Sequence, residues 1–277
     1  MNEHNLFKTG AVETEEVTSD ILSLRTVMVN VQMVGSPAAG DWFLVDTGLG
    51  KFADSIVKAA DNRFGRPPNC IVLTHGHFDH VGNVEELADH WKVPVYAHSL
   101  ELPYLTGEAD YPPGDPSVGG GLMARVAPMY PNKGIDLGTR VRSLPEDGTV
   151  PGFPEWRWIP TPGHSPGQVS LFRAQDGALI AGDAIITVKQ ESAMAVISQE
   201  KELHGPPTYF TPNWDEARES VRRIAALSPK LAVTGHGVSM SGRELTDALQ
   251  VLARDFDRLA VPEQGRYVDE DHERLSE

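Results

Sequence analysis

With 277 residues, 40% of them hydrophobic, the chain can build a sizeable core unaided, and its one cysteine, Cys70, excludes an intrachain disulfide. Lys and Arg total 24 against 39 Asp and Glu, and the resulting formal charge of −15 repels a phosphate backbone, so nucleic acid is not an expected partner. No apolar run approaches the roughly 20 residues of a membrane helix. Residues 1–6 lack the basic start and apolar core of a signal peptide, and with the unpaired thiol this points to a reducing cytoplasm.

In chain order, Ile21 to Val34 is rich in β-branched residues and predicts one strand, broken by the Gly- and Pro-containing stretch 35–40. Trp42 to Val45 predicts its hairpin partner. Asp46-Thr47-Gly48 then resembles an aspartic-protease signature, but that chemistry needs two carboxylates sharing a proton, and the chain has no second copy. Phe52, Ile56, Ala59, Ala60 and Phe64 fall at helical spacing up to Gly65 and Pro67-Pro68. Ile71 to Leu73 reads as a buried strand, with Cys70 beside it as a small core residue rather than a nucleophile.

That strand delivers His75-Gly76-His77-Phe78-Asp79-His80. A strand end that turns into a helix start is a rigid mount for ligands. Alternate residues of an extended segment point the same way, so His75 and His77 can converge on one cation while Asp79 and His80 face a second. Imidazole suits zinc, iron, copper and nickel, and an added carboxylate favours a hydrolytic centre over a structural Cys-rich one. By composition alone such a segment arises in on the order of one chain in a thousand.

Asn83-Val84-Glu85-Glu86 has the form of a capping box and opens a helix to about Trp91, followed by a strand at Val93 to Ala97. The pattern dissolves over about 98–135, a length of loop that is usually functional. Leu122, Met123, Val126, Met129 and Tyr130 there suit a substrate lid, an accessory core or a dimer contact equally. Strands near Arg140 to Leu144 and Trp156 to Pro160 lead to a Pro-braced turn holding His164, which taken alone is as readily a surface turn residue as a ligand. A hairpin from Val169 to Ala181 ends at Asp183. After a second irregular stretch, about 184–212, Asn213 to Glu216 is another capping box, Leu231 to Thr234 a strand ending at Gly235-His236-Gly237, and Ser241 the cap of a last helix. Nothing divides the chain, so a single domain over 1–277 is expected, with an acidic tail after about 267.

His75-x-His77-x-Asp79-His80, a lone His164, a lone Asp183 and a final His236, with Asp46 at an earlier strand end, resemble the metallo-β-lactamase fold superfamily over about residues 20 to 240. The resemblance implies an α/β (α+β) fold, a four-layer αβ/βα sandwich of two mixed β-sheets flanked by helices. It implies two divalent metal ions, Zn2+ first with Fe or Mn as options. His75, His77 and His164 would hold one, Asp79, His80 and His236 the other, and Asp183 would bridge them, with Asp46 orienting the ligand loop. The implied activity is that of a binuclear hydrolase in which a metal-bridging hydroxide cleaves a small ester, lactone or thioester and Asp79 passes the proton.

A carboxylate at 183 resembles the glyoxalase II and lactonase branches more than true β-lactamases. The 41 residues beyond His236 are too few for a glutathione-binding helical domain. The stretch Ala184 to Thr187 lacks the tyrosine that lactonases of this fold carry, leaving Tyr209 as the candidate substrate hydroxyl. An iron oxygenase of the same fold, akin to a persulfide dioxygenase, is the first alternative, and a phosphodiesterase or β-lactamase comes behind it.

Overall fold

The computed structural model describes residues 12–268. The expected acidic tail and the residues weighed for a signal peptide lie outside them. Strands β1 (Glu13–Thr18), β2 (Ile21–Thr26), β3 (Val29–Gly35), β4 (Trp42–Val45), β5 (Ile71–Val72), β6 (Val95–Ala97) and β7 (Val141–Ser143) form a seven-stranded sheet in sequence order, antiparallel up to β4 and parallel from there to β7. Strands β8 (Thr149–Val150), β9 (Phe153–Pro160), β10 (Val169–Arg173), β11 (Ala178–Ile180), β12 (Leu231–Val233) and β13 (Met240–Ser241) form a second sheet in the order β13-β12-β11-β10-β9-β8, with β11 and β12 parallel. Helices are α1 (Ala53–Phe64), α2 (Val84–Trp91), α3 (Leu102–Leu105), α4 (Leu122–Val126), α5 (Ala193–Ser198), α6 (Trp214–Leu227), α7 (Gly242–Arg254) and α8 (Phe256–Leu259).

The central strands of both sheets bury both faces, and the two-residue side-chain period shows how. Phe43, Val45 and Val72 point into a core shared with Trp156, Leu171 and Ile180 of the second sheet, whereas Trp42, Leu44 and Ile71 point to the opposite face, against Ile56, Ala60, Leu87 and Trp91 of α1 and α2. Phe172 and Leu179 do the same towards Trp214, Val221, Ile224, Leu245 and Leu249 of α6 and α7. The result is helix, sheet, sheet, helix, as the resemblance implied. Trp42 anchors the outer layer: it is fully buried, stacks on Phe64 at 4.4 Å, meets Trp91 edge-on at 5.8 Å and donates its indole N–H to the Arg66 carbonyl. Trp42→Ala is expected to cost about 3–5 kcal/mol of stability, measured by urea denaturation.

The structure corrects several sequence expectations. Ile21 to Val34 is two strands, because a two-residue turn at Val27-Met28 lets Thr26 pair with Val29. Val27 holds φ 67°, a left-handed conformation that β-branched residues disfavour, and this hides the turn in the sequence. The capping box at Asn83 does not form. The helix is there, but the Asn83 amide donates to the Thr47 and Leu49 carbonyls and its oxygen accepts the Phe52 N–H, pinning the loop after β4 instead. Ser241 likewise makes no side-chain cap, while Asn213 does, accepting the Glu216 N–H at 3.0 Å. The 98–135 stretch contains α3, α4 and short 3-10 turns, and Ala124 and Ala127 pack with Tyr209 as an accessory core, leaving Leu122 and Met129 exposed.

Candidate metal centre

Every ligand-type residue sits at or just beyond a strand end or in a turn between strands. Asp46 follows β4, His75 to His80 follow β5, His164 lies between β9 and β10, Asp183 follows β11 and His236 follows β12. Strands β4, β5, β11 and β12 bring these ends to one edge of the two sheets. There, three overlapping groups form: His75, His77 and His164; His75, His80 and Asp183; Asp79, His80 and His236. Within each group the donor atoms lie within 4.8 Å of one another. All seven side chains are buried, Asp79 the least so at 9% exposure.

Hydrogen bonds on the outer side of the cluster set the imidazole tautomers. The Thr74 hydroxyl donates to Asp46 Oδ2 at 2.8 Å, so it accepts from His75 Nδ1–H at 3.0 Å. His80 Nδ1–H donates to the same Asp46 oxygen at 2.8 Å, and the other Asp46 oxygen accepts the Thr74 N–H at 2.7 Å. The Thr211 hydroxyl donates to the Pro207 carbonyl and accepts from His164 Nδ1–H at 3.3 Å. His236 Nδ1–H donates to the Met28 carbonyl at 2.9 Å. Each of these four imidazoles therefore keeps Nδ1 on the outer side and turns Nε2 inward, the atom that a cation would take. His77 enters by its other nitrogen, with Nδ1 2.9 Å from His164 Nε2.

His75 Nε2, His80 Nε2 and Asp183 Oδ1 are buried without a hydrogen-bond partner. A buried polar atom left unpaired is costly, and three at one point converge as ligands would. Asp183 Oδ2 stands 3.1 Å from His236 Nε2 and 3.5 Å from both His80 and His164 Nε2. This one carboxylate reaches an imidazole from each of the two outer groups. Burial works to raise the Asp183 pKa, but His236 and His80 override it and hold the carboxyl well below its usual range. Burial and neighbouring imidazoles depress His75 and His77 well below the usual histidine value, and burial takes His164 down to about 4. For His80 and His236 burial is outweighed by the surrounding carboxylates, Asp183 first, and the net shift is upward. Asp183 is held ionised and His75, His77 and His164 neutral, as metal ligands must be, whereas a cation would have to displace the protons that Asp183 favours on His80 and His236.

Several supporting residues were not foreseen. Thr74 and Thr211 fix tautomers, the Val27-Met28 turn presents its carbonyl to His236, and Glu101 lies fully buried behind the His75 loop. Thr74 adjoins the motif and its hydroxyl was a readable signal; the others are brought in by tertiary structure. Asp46 holds φ 57°, a strained position that aims its carboxylate at Thr74 and His80. Cys70 is buried, and burial pushes its thiol up to about 12, which suits a core residue.

A small cavity of about 60 Å³ touches His77 and His164 and is walled by Tyr104, Tyr111, Tyr209 and Phe210. Tyr209 is 3% exposed, and burial and then Glu191 push its hydroxyl well above its ordinary pKa. A larger cavity of about 530 Å³ lies beside the second irregular stretch, lined by Lys189, Glu191, His204 and Gln264, and includes none of the seven residues. Thr187 makes no catalytic contact either: its hydroxyl bonds Thr234, the His236 carbonyl and the Val238 carbonyl, latching the His236 loop. No helix among the described residues is long and apolar enough to cross a membrane.

"Probable metallo-hydrolase YflN" of Bacillus subtilis (strain 168) is 46% identical over 241 residues, covering 86% of this chain and 91% of the relative. Among solved structures, the B3 metallo-beta-lactamase BLEG-1 superposes with a TM-score of 0.58 at 19% identity, over 83% of this chain and 94% of that one. TTHA1623, solved in a di-iron-bound form, gives 0.52 at 24% identity, over 84% and 96%. At these identities the two structures speak to the fold alone. The family model described as metallo-beta-lactamase superfamily matches residues 24–236. The match begins within β2 and ends on His236 itself, so it spans all the strand ends described above, and the chain belongs to the metallo-beta-lactamase superfamily.

Proposed function

We propose that the chain is a dinuclear metal-dependent hydrolase of a small ester, lactone or thioester, with zinc as its metal. The observation that carries this is Asp183, whose one oxygen lies within 3.5 Å of His164 on one side and of His80 and His236 on the other. His75, His77 and His164 would hold one cation, Asp79, His80 and His236 the second, and Asp183 would join them. The orphaned inward atoms of His75, His80 and Asp183 fit that assignment. Two such cations lower the pKa of a shared water and supply a nucleophile at neutral pH.

The chain's own residues do the rest. Asp46 and Thr74 hold His75 and His80 in the tautomers described, and burial excludes bulk water from the cluster. Asp79 Oδ2 lies 3.5 Å from His236 Nε2, and burial raises the pKa of this carboxyl despite His80 and His236. Asp79 is the least buried of the seven residues, which places it to relay a proton to a leaving group at the open side of the cluster. The aromatic walls around the cavity at His77 and His164 favour a small, partly apolar substrate, with Tyr209 among them as the candidate hydroxyl. The charge of −15 favours a small molecule over nucleic acid, and the inert, unpaired Cys70 suits a reducing cytoplasm.

Metal analysis of carefully purified protein, combined with lactone, thioester, β-lactam and phosphodiester substrates, tests the proposal. About two equivalents per chain with lactone, ester or thioester turnover supports it; fewer than two sinks it. Iron in place of zinc, with oxygen uptake, would favour the oxygenase alternative. Asp79→Asn is expected to leave the fold intact and lower turnover by at least about 10². Near wild-type turnover would remove its proton-transfer role.

A further inference from the structure

Glu101 is a fully buried carboxylate in a 3-10 turn after β6, and both its oxygens are met by neutral donors. Oε2 accepts the Gly76 N–H at 2.9 Å and the Tyr111 hydroxyl. Oε1 accepts the Ser165 hydroxyl at 2.8 Å and the Gly167 N–H at 2.7 Å. Gly76 lies between His75 and His77, and Ser165 directly follows His164. One side chain therefore fastens together the two loops that carry all three imidazoles of the first group.

The surroundings are built for this contact. A Cβ on Gly76 would stand 2.5 Å from the Tyr111 oxygen, and one on Gly167 would stand 2.8 to 3.0 Å from Glu101 atoms, so both loops approach only because they carry glycine there. Burial, and after it Glu101, holds the Tyr111 pKa well above its ordinary value, so the phenol stays protonated and keeps donating. An anion enclosed by neutral donors is expensive to bury unless positive charge lies close by. His75, His77 and His164 as neutral imidazoles bring no charge of their own to a divalent cation.

The geometry points to Glu101 as a positioning residue for the first metal. It fixes the separation of the His75–His77 loop from the His164 turn and places a negative charge directly behind the all-imidazole half of the centre. This rests on the proposal that the cluster holds two metals. It predicts asymmetry: disturbing Glu101 weakens the site of His75, His77 and His164 and spares that of Asp79, His80 and His236.

The test is stepwise loading of the metal-free full chain with cobalt(II) and with zinc, following chelator-competition isotherms and the cobalt absorption bands, for wild type, Glu101→Gln and Tyr111→Phe. Glu101→Gln is expected to weaken one of the two sites by about 10 to 100-fold, a loss typical for partners that orient metal ligands, and to change one set of cobalt bands. Tyr111→Phe, which leaves the carboxylate in place, is expected to weaken the same site by less. Two equivalents in wild type with unchanged isotherms in Glu101→Gln would overturn the inference alone. Equal weakening of both sites would assign Glu101 a merely structural role and overturn it as well. Fewer than two equivalents in wild type would overturn the two-metal proposal and this inference with it. If Glu101→Gln does not fold, Tyr111→Phe and Ser165→Ala carry the decision: selective weakening supports the assignment, and unchanged binding at both sites overturns it.

Discussion

Asp183→Asn is expected to reduce turnover by on the order of 10³ or more and to lower bound metal below two equivalents per chain. Partners that only orient metal ligands are worth about 10 to 100-fold, and Asp183 is placed among the ligands themselves. The substitution preserves shape, so its effect is electrostatic. It removes the negative charge that His236 and His80 hold ionised and leaves an amide of no net charge facing the ring nitrogens of His80, His164 and His236. Metal analysis by mass spectrometry, alongside kcat and KM with the best substrate of the panel, checks it. Two tightly held equivalents and retained turnover in Asp183→Asn would show that the carboxylate does not join the sites, and its bridging role would have to be abandoned.

Asp46→Ala is the counterpart on stability. Three donors converge on this carboxylate, the Thr74 N–H, the Thr74 hydroxyl and His80 Nδ1–H, all of them buried. Truncation leaves them unpaired and places alanine at φ 57°, which lacks the tolerance of Asp or Asn for that conformation. A loss of about 3–5 kcal/mol is expected in denaturant titration. Asp46→Asn, which keeps an acceptor and accepts the backbone conformation, should recover part of it. If alanine and asparagine cost the same small amount, the hydrogen bonds around Asp46 are not what aligns the ligand loop.

The candidate site was legible in the sequence to an unusual degree, for a physical reason. Its residues are polar types held at the ends of apolar strands, and a His or Asp directly after such a run stands out against the turn residues expected there. The alternation that buries Phe43 on one face and Trp42 on the other comes from an unbroken apolar run, so the two-faced sheets were legible too. What escaped notice had no local signature. β1 runs from Glu13 to Thr18 with mostly exposed side chains, so it shows no apolar stripe. Val27 occupies a turn position that its residue type argues against. Asn83 and Glu85-Glu86 spelled a cap whose amide is engaged by a distant loop. Glu101 is a single acid in a Pro-rich stretch, and only the folded chain brings Gly76, Tyr111, Ser165 and Gly167 to it.

The seven residues are divided between the two sheets. His75, His77, Asp79 and His80 come from the first, while His164, Asp183 and His236 come from the second, and both outer groups draw on each. A cation bound there would act as a rivet across the seam, and no rivet hole exists until the halves have closed on their shared core. The newly made chain must therefore finish folding before it can compete with cellular chelators for metal. The apolar core between the sheets, which joins Phe43, Val45 and Val72 to Trp156, Leu171 and Ile180, holds the halves shut without metal, so a cell starved of metal would accumulate closed apoprotein waiting to be loaded.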